Sequence, residues 1–147
     1  MKSVIWDELD KNGIVVTRTD GDSMQPLLRH HRDVVVIEKT TPGQRLQKYD
    51  VALYRRSEDS RYTLHRILKV REHDYVICGD NRWHRERGIT DEQIIGRLKE
   101  IQRNGKHVTM TDPRYRLYVH LWCDLFYLRA AVLFVRDLPR IVRKRLQ

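Results

Sequence analysis

The chain has 147 residues, of which 40% are hydrophobic and 33% are charged. This length predicts one domain with enough chain to bury a core, and the composition excludes an intrinsically disordered protein. The formal net charge of +9 predicts an acidic partner, such as nucleic acid, anionic lipid or an acidic peptide. From residue 114 onward eight basic residues stand against two acidic ones, so +6 of this charge lies in the last quarter of the chain.

Cysteine usage and hydropathy favour a location in the cytoplasm or at the inner face of a membrane. Cys78 and Cys123 both lie in apolar runs, which is typical of buried free thiols in a reducing compartment. Acidic residues within the first ten positions argue against a signal peptide. The longest apolar stretch, residues 117–135, is interrupted by charged residues, so we expect no membrane-spanning helix.

The first three quarters of the chain have the pattern of a β protein. A helix is predicted at residues 3–11, a helical turn at 90–93 and a polar surface loop at 81–88. Apolar, mostly β-branched runs predict strands at residues 14–17, 33–37, 51–54, 62–70, 75–78, 94–101 and 107–110. Polar turn residues separate them, including a hairpin tip at 57–60. Residues 1–112 are therefore predicted to form a mainly β domain, a curled or barrel-like antiparallel sheet.

The composition changes after residue 112, and residues 113–147 are predicted to be an α-helical extension. Residues 115–135 contain no glycine or proline and predict one long helix, which Pro139 breaks or restarts. This basic, apolar segment has three interpretations. It packs on the β domain, it lies on an anionic membrane surface or partner protein, or it binds nucleic acid. The last ranks lowest because no nucleic-acid-binding motif accompanies the arginines.

Three residues in separate turns and strands suggest a hydrolytic site. Ser23 lies in a turn before a strand, His65 lies inside a later strand and Asp80 lies in the turn that follows. A serine hydroxyl becomes a nucleophile when a base such as histidine removes its proton, and a carboxylate can orient that histidine. Each residue alone also has a structural explanation, as a turn serine, a packed histidine or a turn aspartate.

The order of several short motifs resembles the type I signal peptidase and self-cleaving repressor superfamily over residues 19–101. Gly-Asp-Ser-Met-Gln-Pro at 21–26 is similar to the box that carries the nucleophile. Leu-His-Arg-Ile at 64–67 and Cys-Gly-Asp-Asn at 78–81 resemble the base and aspartate boxes of the histidine branch, found in the endoplasmic reticulum and archaea. The runs at 32–36, 48–54 and 94–98 are similar to the strands between and after these boxes.

This resemblance implies that Ser23 is the nucleophile, His65 the general base and Asp80 the residue that orients it. It places Asp22, Ser23, Met24 and Pro26 around the oxyanion and substrate. Two positions depart from the pattern of the family. Gly21 stands where the endoplasmic-reticulum branch usually has a hydroxyl residue, and Arg32 replaces a common glycine.

The sequence thus predicts a serine endopeptidase that cleaves a peptide or precursor protein through a Ser23–His65 dyad. No metal or cofactor is predicted. A Ser–Lys mechanism through Lys69 is the second choice, because this lysine lies four residues beyond the base position. The alternative from another class is a non-catalytic binding module on the same fold, which uses its basic C-terminal helices to bind membrane, partner protein or nucleic acid.

Overall fold

A computed structural model describes residues 4–57 and 60–145. The helices in these residues are α1 (Val4–Asn12), α2 (Pro113–Asp124) and α3 (Phe126–Arg145), and a short 3-10 turn spans Asp91–Gln93. The strands are β1 (Ile14–Arg18), β2 (Val34–Lys39), β3 (Val51–Tyr54), β4 (Thr63–Val70), β5 (Tyr75–Cys78), β6 (Glu86–Ile89), β7 (Ile94–Arg103) and β8 (Lys106–Thr109).

The eight strands form one antiparallel sheet in the order β1-β2-β7-β3-β4-β5-β6, and β8 pairs with β7. The prediction of an antiparallel sheet followed by C-terminal helices is confirmed. Strand β1 has one neighbour in this order, so its other edge is open to pairing. The first residues of β4 pair with β3, whereas the pairing of β4 with β5 begins only at Arg66.

Both faces of the central strands are covered, which explains why β3 and β5 are buried at every residue. On one face, α1 and α2 pack through Leu9, Tyr115 and Val119 against apolar side chains of β1, β2 and β7. On the other face a second cluster centres on Tyr54, Ile67 and further side chains of β5, β6 and β7. Helix α2 therefore shares a core with the sheet.

Most predicted elements match the observed ones, but the loop predicted at 81–88 ends in a strand. Glu86 in β6 pairs with Ile77 in β5. This edge strand reads Glu-Arg-Gly-Ile and has none of the alternation that marks a half-buried strand, so its pairing with β5 determines its conformation. Residue 3 of the predicted first helix and residues 58–59 of the predicted hairpin tip lie outside the described residues.

The C-terminal helices differ from the prediction in where the chain bends. The helix ends at Asp124, and α2 and α3 make an angle of 74° at Leu125. The bend lets both helices bury apolar residues, and Arg129 donates a hydrogen bond to the carbonyl of Trp122 across the break (3.2 Å). Pro139 does not interrupt α3. It is exposed, so water can solvate the carbonyl that its missing N–H leaves free.

No single helix in residues 4–57 and 60–145 is long and apolar enough to cross a membrane. Helices α2 and α3 meet the criteria of length and composition only when taken together, as a bent pair.

A buried ion pair joins the sheet to α2. Arg66 in β4 and Asp80 after β5 are both fully buried, and the guanidinium donates two hydrogen bonds to the carboxylate (2.8 and 2.7 Å). Arg66 also donates to the hydroxyl of Tyr115 (2.9 Å), and the Tyr118 hydroxyl donates to Asp80 (2.9 Å). Trp122 donates its indole N–H to the Asp80 carbonyl (2.8 Å). Three turns of α2 are thereby fixed to the turn that follows β5.

Replacing Arg66 with glutamine leaves Asp80 as a buried charge with no ionic partner. We expect Arg66→Gln to lower the free energy of unfolding by about 3–5 kcal/mol. Urea unfolding followed by circular dichroism measures this loss. As a matched control, Arg71→Gln removes an arginine whose pair with Asp74 lies at the surface, and it should leave the urea midpoint nearly unchanged. Equal effects of the two changes would contradict the role assigned to the buried pair.

Candidate active site

Ser23 lies in a tight turn that leaves β1 and is held by its own backbone and by the core. The Gln25 N–H donates to the Asp22 carbonyl (3.1 Å), and the Leu28 N–H donates to the Met24 carbonyl (2.9 Å). Met24 is only 4% exposed and packs with Leu28 in the core beneath the turn. The apolar residue that follows Ser23 therefore anchors the turn and leaves the serine half-buried at its surface.

The turn after β5 supports the Ser23 turn from the side. The Asn81 N–H donates to the Ser23 carbonyl (2.8 Å), and the Asn81 side chain donates to the Asp22 carbonyl (3.1 Å). Arg82 forms an ion pair with the Asp22 carboxylate (2.7 Å). The hydrogen bond from Arg82 holds the pKa of Asp22 below its ordinary value, so Asp22 is ionised at neutral pH.

Gly79 is the point where this turn comes closest to both predicted catalytic residues. A Cβ added to Gly79 would lie 2.5 Å from the Ser23 carbonyl oxygen and 3.1 Å from Nε2 of His65. The first distance is shorter than any real contact, so only glycine allows the approach. The Nε2 side of the His65 ring and the Ser23 carbonyl oxygen therefore border the same side of Gly79.

His65 is buried in β4, and groups on β3 and β6 hold the other side of its ring. Nδ1 lies 3.1 Å from the Tyr54 hydroxyl and 3.2 Å from Oε1 of Glu86. The Tyr54 hydroxyl donates to Oε2 of Glu86 (3.1 Å), so the carboxylate receives hydrogen bonds on both oxygens. An ionised carboxylate only accepts, so this arrangement favours the tautomer with the proton on Nδ1 and a free lone pair on Nε2.

Glu86 is kept ionised by its partners. Burial raises the pKa of Glu86, but hydrogen bonds from His65 and Arg56 outweigh it and hold this pKa well below its ordinary value. Arg56 donates to both carboxylate oxygens (2.7 and 2.6 Å). A chain of polar contacts therefore runs from Arg56 through Glu86 to His65, in which each group fixes the next.

Asp80 does not orient His65, contrary to the prediction. Its two carboxylate oxygens are occupied by Arg66 and Tyr118, whereas the carboxylate beside Nδ1 of His65 belongs to Glu86. The alternation of side chains along β4 explains this difference. Arg66 follows His65 in β4, so the two side chains point to opposite faces of the sheet, and Asp80 turns toward the arginine. Asp80 supports the site through the backbone of its turn.

The Ser23 hydroxyl has no hydrogen-bond partner among residues 4–57 and 60–145, so it makes no direct hydrogen bond to His65. Over the same residues the backbone N–H of Ser23 also donates to no acceptor. The structure thus places the Ser23 backbone and the His65 ring against the same glycine, Gly79, without joining the two side chains, and His65 is not among the residues that line the cleft at Ser23. It leaves one hydroxyl, one main-chain N–H and one imidazole nitrogen free there.

An open cleft of about 460 Å³ runs past Ser23. One wall is the end of β1 and the turn that follows it, including Asp22, Ser23 and Met24, and the other wall is residues 61–64 at the start of β4. Pro26, predicted to contact substrate, is exposed and does not line this cleft. Its position two residues beyond the buried Met24 carries it to the outer side of the turn.

A larger groove of about 830 Å³ lies elsewhere, between β4, β5 and the junction of α2 and α3. Neither Ser23 nor His65 lines it. Lys69, the second-choice base, lines this groove and not the cleft, because it lies beyond the irregularity in the pairing of β4 with β5. A Ser–Lys mechanism through Lys69 is therefore not supported by the geometry.

Two other groups near the site have structural explanations. Asp20, His30 and His31 place possible ligand atoms within 4.8 Å of one another, but the Gly21 N–H already donates to Asp20 Oδ1 and His30 Nδ1 (3.0 and 2.9 Å). This cluster clamps the start of the Ser23 turn. Burial raises the pKa of the Cys78 thiol to about 12, so it remains protonated at neutral pH and is a poor nucleophile.

A comparison with known protein families, curated proteins and solved structures finds no match to this chain.

The sequence pointed to Ser23 and His65 but missed the three residues that hold the far side of the histidine ring. Glu86 lies in the stretch predicted as a surface loop, and Tyr54 and Arg56 lie at the end of a strand that carries no site motif. The sequence signal is a tyrosine on the neighbouring strand, since Tyr54 pairs with Thr63, which lies two residues before His65 and on the same face of the sheet. This signal needs the strand register, which the sequence alone does not contain.

The depressed pKa of Glu86 predicts a specific dependence of stability on pH. An unfolded glutamate binds a proton near pH 4.5, whereas folded Glu86 stays ionised well below this pH. The contribution of Glu86 to folding is therefore complete at neutral pH and is lost progressively as the pH falls below about 5, with the loss continuing below about pH 3. We expect Glu86→Gln to be less stable at neutral pH and to lose less further stability on acidification.

Urea unfolding at a series of pH values measures this difference. Glu92→Gln serves as the matched control because Glu92 is exposed, and it should reproduce the pH dependence of the unchanged protein. If Glu86→Gln and the unchanged protein lose the same free energy between neutral pH and pH about 3, the buried contacts of Glu86 do not stabilise the fold.

Proposed function

We propose that this protein is a serine endopeptidase of the signal-peptidase type, with Ser23 as nucleophile and His65 as general base. One observation carries the proposal: the His65 ring is held at Nδ1 by an ionised carboxylate, while Nε2 lies against Gly79, the residue that also approaches the Ser23 carbonyl. A histidine needs this tautomer to remove a proton from a serine hydroxyl. The substrate class is a peptide or precursor protein.

In the proposed reaction Ser23 Oγ attacks the carbonyl carbon of the scissile peptide bond and passes its proton to Nε2 of His65. The tetrahedral intermediate collapses as His65 donates that proton to the leaving amine, and an acyl-enzyme ester forms on Ser23. Water then attacks the ester, again with His65 as base, and releases the acid product. Glu86 keeps Nδ1 protonated and stabilises the positive charge on the imidazolium.

The oxyanion of the intermediate would be stabilised by the backbone N–H of Ser23, which is free in the unliganded site. Gly21, where the similar enzymes have a hydroxyl, contributes no side-chain donor. A hydrogen bond between Ser23 and His65 would form as the turn adjusts to bound substrate. Catalytic hydrogen bonds are often longer in unliganded enzymes than in their substrate complexes.

The cleft suits an extended peptide. Its walls include the end of the open edge strand β1 and the start of β4, where β5 does not pair. A peptide in strand conformation could add to such an edge through main-chain hydrogen bonds. We also propose that the sheet is curved as in signal peptidases. The order of the sequence motifs supports this part of the proposal.

Reaction with a serine-directed acylating probe tests the assignment. We expect one acyl group on Ser23, located by mass spectrometry of the digested protein. Ser23→Ala should abolish the labelling, and His65→Ala should slow it by roughly 10²- to 10⁴-fold because the hydroxyl loses its base. Circular dichroism should show an intact fold in Ser23→Ala, since the Ser23 side chain bonds to nothing in the described residues. The rate of His65→Ala is compared at equal folded fraction, because this change removes buried contacts with Tyr54 and Glu86.

Matched controls are available on the surface. Ser57→Ala removes an exposed turn serine and His73→Ala removes a histidine whose side chain is 88% exposed, so both should be labelled at the unchanged rate. Labelling that persists in purified Ser23→Ala, or that spreads equally over surface serines, would rule out Ser23 as the nucleophile.

The two carboxylates can be separated by their different roles. We expect Glu86→Gln to slow acylation of Ser23 by at least about tenfold, because an amide can donate to Nδ1 and stabilise the wrong tautomer. Asp80→Asn should mainly lower the free energy of unfolding, since it leaves Arg66 buried without a counter-charge. Acylation rates compared at equal folded fraction measure the difference, and a larger rate loss in Asp80→Asn would return the orienting role to Asp80.

A non-catalytic binding module is the second candidate function. The observation that favours it is the missing hydrogen bond between the Ser23 hydroxyl and His65. In that case the cleft would bind an extended peptide without cleaving it. Absence of any Ser23 acylation, together with saturable binding of peptides, would support the module over the enzyme.

A further inference from the structure

The outward face of α3 is almost entirely apolar and is in contact with solvent. Six of its side chains are between 41% and 75% exposed: Tyr127, Leu128, Val132, Val135, Leu138 and Val142. At 100° per residue they fall on one side of the helix, opposite the buried Phe126 and Leu133. We call these six residues the apolar face. Six adjacent, exposed apolar side chains are unusual on the surface of a soluble monomer, and they indicate a binding surface.

Positive charge borders the apolar face on both sides. Arg143 lies on one flank of the helix and Arg145 on the other, and among the described residues neither forms an ion pair. On the other side Tyr127 also lines the 830 Å³ groove, whose wall includes Lys69, Arg85 and Arg87. Arg85 packs over the Tyr127 ring, with the guanidinium carbon 5.4 Å from its centroid.

We propose that α3 lies in the interface of an anionic lipid membrane, with the apolar face among the acyl chains and the flanking cations at the headgroups. The charge and the apolar character of this surface together indicate which kind of partner binds it. An isologous contact with a second copy would bring two basic flanks together, which costs free energy. Nucleic acid would satisfy the cations but leave the apolar face in water. An anionic bilayer complements both features at once.

The same helix is connected to the Ser23 site, so membrane binding would place the cleft near the lipid surface. Arg136 of α3 donates to the side-chain oxygen of Asn81 (2.7 Å), and Asn81 in turn holds the Ser23 carbonyl. Phe134 packs edge-on against Trp83 in the same turn, with ring centroids 5.1 Å apart. The membrane proposal does not depend on catalysis, because it rests on α3 and the groove alone.

Co-sedimentation of the full chain with vesicles tests the proposal. One set of vesicles is phosphatidylcholine alone, and the other contains roughly one third phosphatidylglycerol. We expect binding to the anionic vesicles at least about tenfold tighter than to the neutral ones. Leu128→Gln, Val132→Gln and Val135→Gln in one protein should weaken binding to the anionic vesicles by at least about tenfold, since the apolar contacts are lost.

Charge is tested with two variants that remove the same number of cations. Arg143→Gln with Arg145→Gln should weaken binding to anionic vesicles by roughly tenfold and leave the weak binding to phosphatidylcholine unchanged. Arg32→Gln with Lys106→Gln, both exposed and neither on α3 nor lining the 830 Å³ groove, should bind like the unchanged protein. The apolar variant should keep its circular dichroism spectrum, because the replaced side chains are already in water.

Several outcomes would overturn the proposal. Equal losses in the two charge variants would show that net charge alone drives binding. A dimer in sedimentation equilibrium that the apolar variant dissociates, without vesicle binding by the unchanged protein, would assign the face to a second copy. Binding to a polyanion but not to vesicles would assign the cations to nucleic acid. Ser23→Ala should bind vesicles normally, so failure of the peptidase assignment would leave this result intact.

Discussion

The ion pair between Arg66 and Asp80 is the interaction on which the arrangement of the site depends. Two opposite charges with no solvent contact must satisfy each other, and their remaining polar atoms must find partners, or the fold is strongly destabilised. Tyr115 and Tyr118 supply those partners from α2. The pair therefore brings together β4, the turn after β5 and the first C-terminal helix.

Fixing Asp80 also fixes its neighbours on either side. Gly79 passes against both the Ser23 carbonyl and the His65 ring, and Asn81 donates to the Ser23 carbonyl. Because His65 directly precedes Arg66 in β4, the arginine that binds Asp80 also positions the histidine on the opposite face of the sheet. Arg66 and His65 thus occupy the two faces of one strand. Glu86, Tyr54 and Arg56 complete the far side of the histidine ring.

Local sequence patterns predicted most of the strands because β-branched runs between polar turns have few other stable conformations. They failed where tertiary contacts outweigh local preference. Strand β6 has little strand propensity but pairs with β5. The bend at Leu125 contains no helix-breaking residue, yet it lets Val119 and Leu133 both become buried, and Pro139 is tolerated because its position is exposed. The residue pattern therefore predicts that this segment is helical, but it does not predict the angle between α2 and α3.

The sequence by itself determined the candidates: a serine in a turn anchored by Met24, a histidine inside a strand, and a basic, apolar C-terminal segment. These features are local, so residue type and spacing are enough to recognise them. Only the tertiary structure decided which carboxylate faces His65. Asp80 lies in a motif close to His65 in the sequence, but its carboxylate binds Arg66, which lies on the opposite face of β4. The pairing of β6 with β5 instead brings Glu86 to the histidine. The choice depends on strand register across residues far apart in the chain, and no local pattern encodes it.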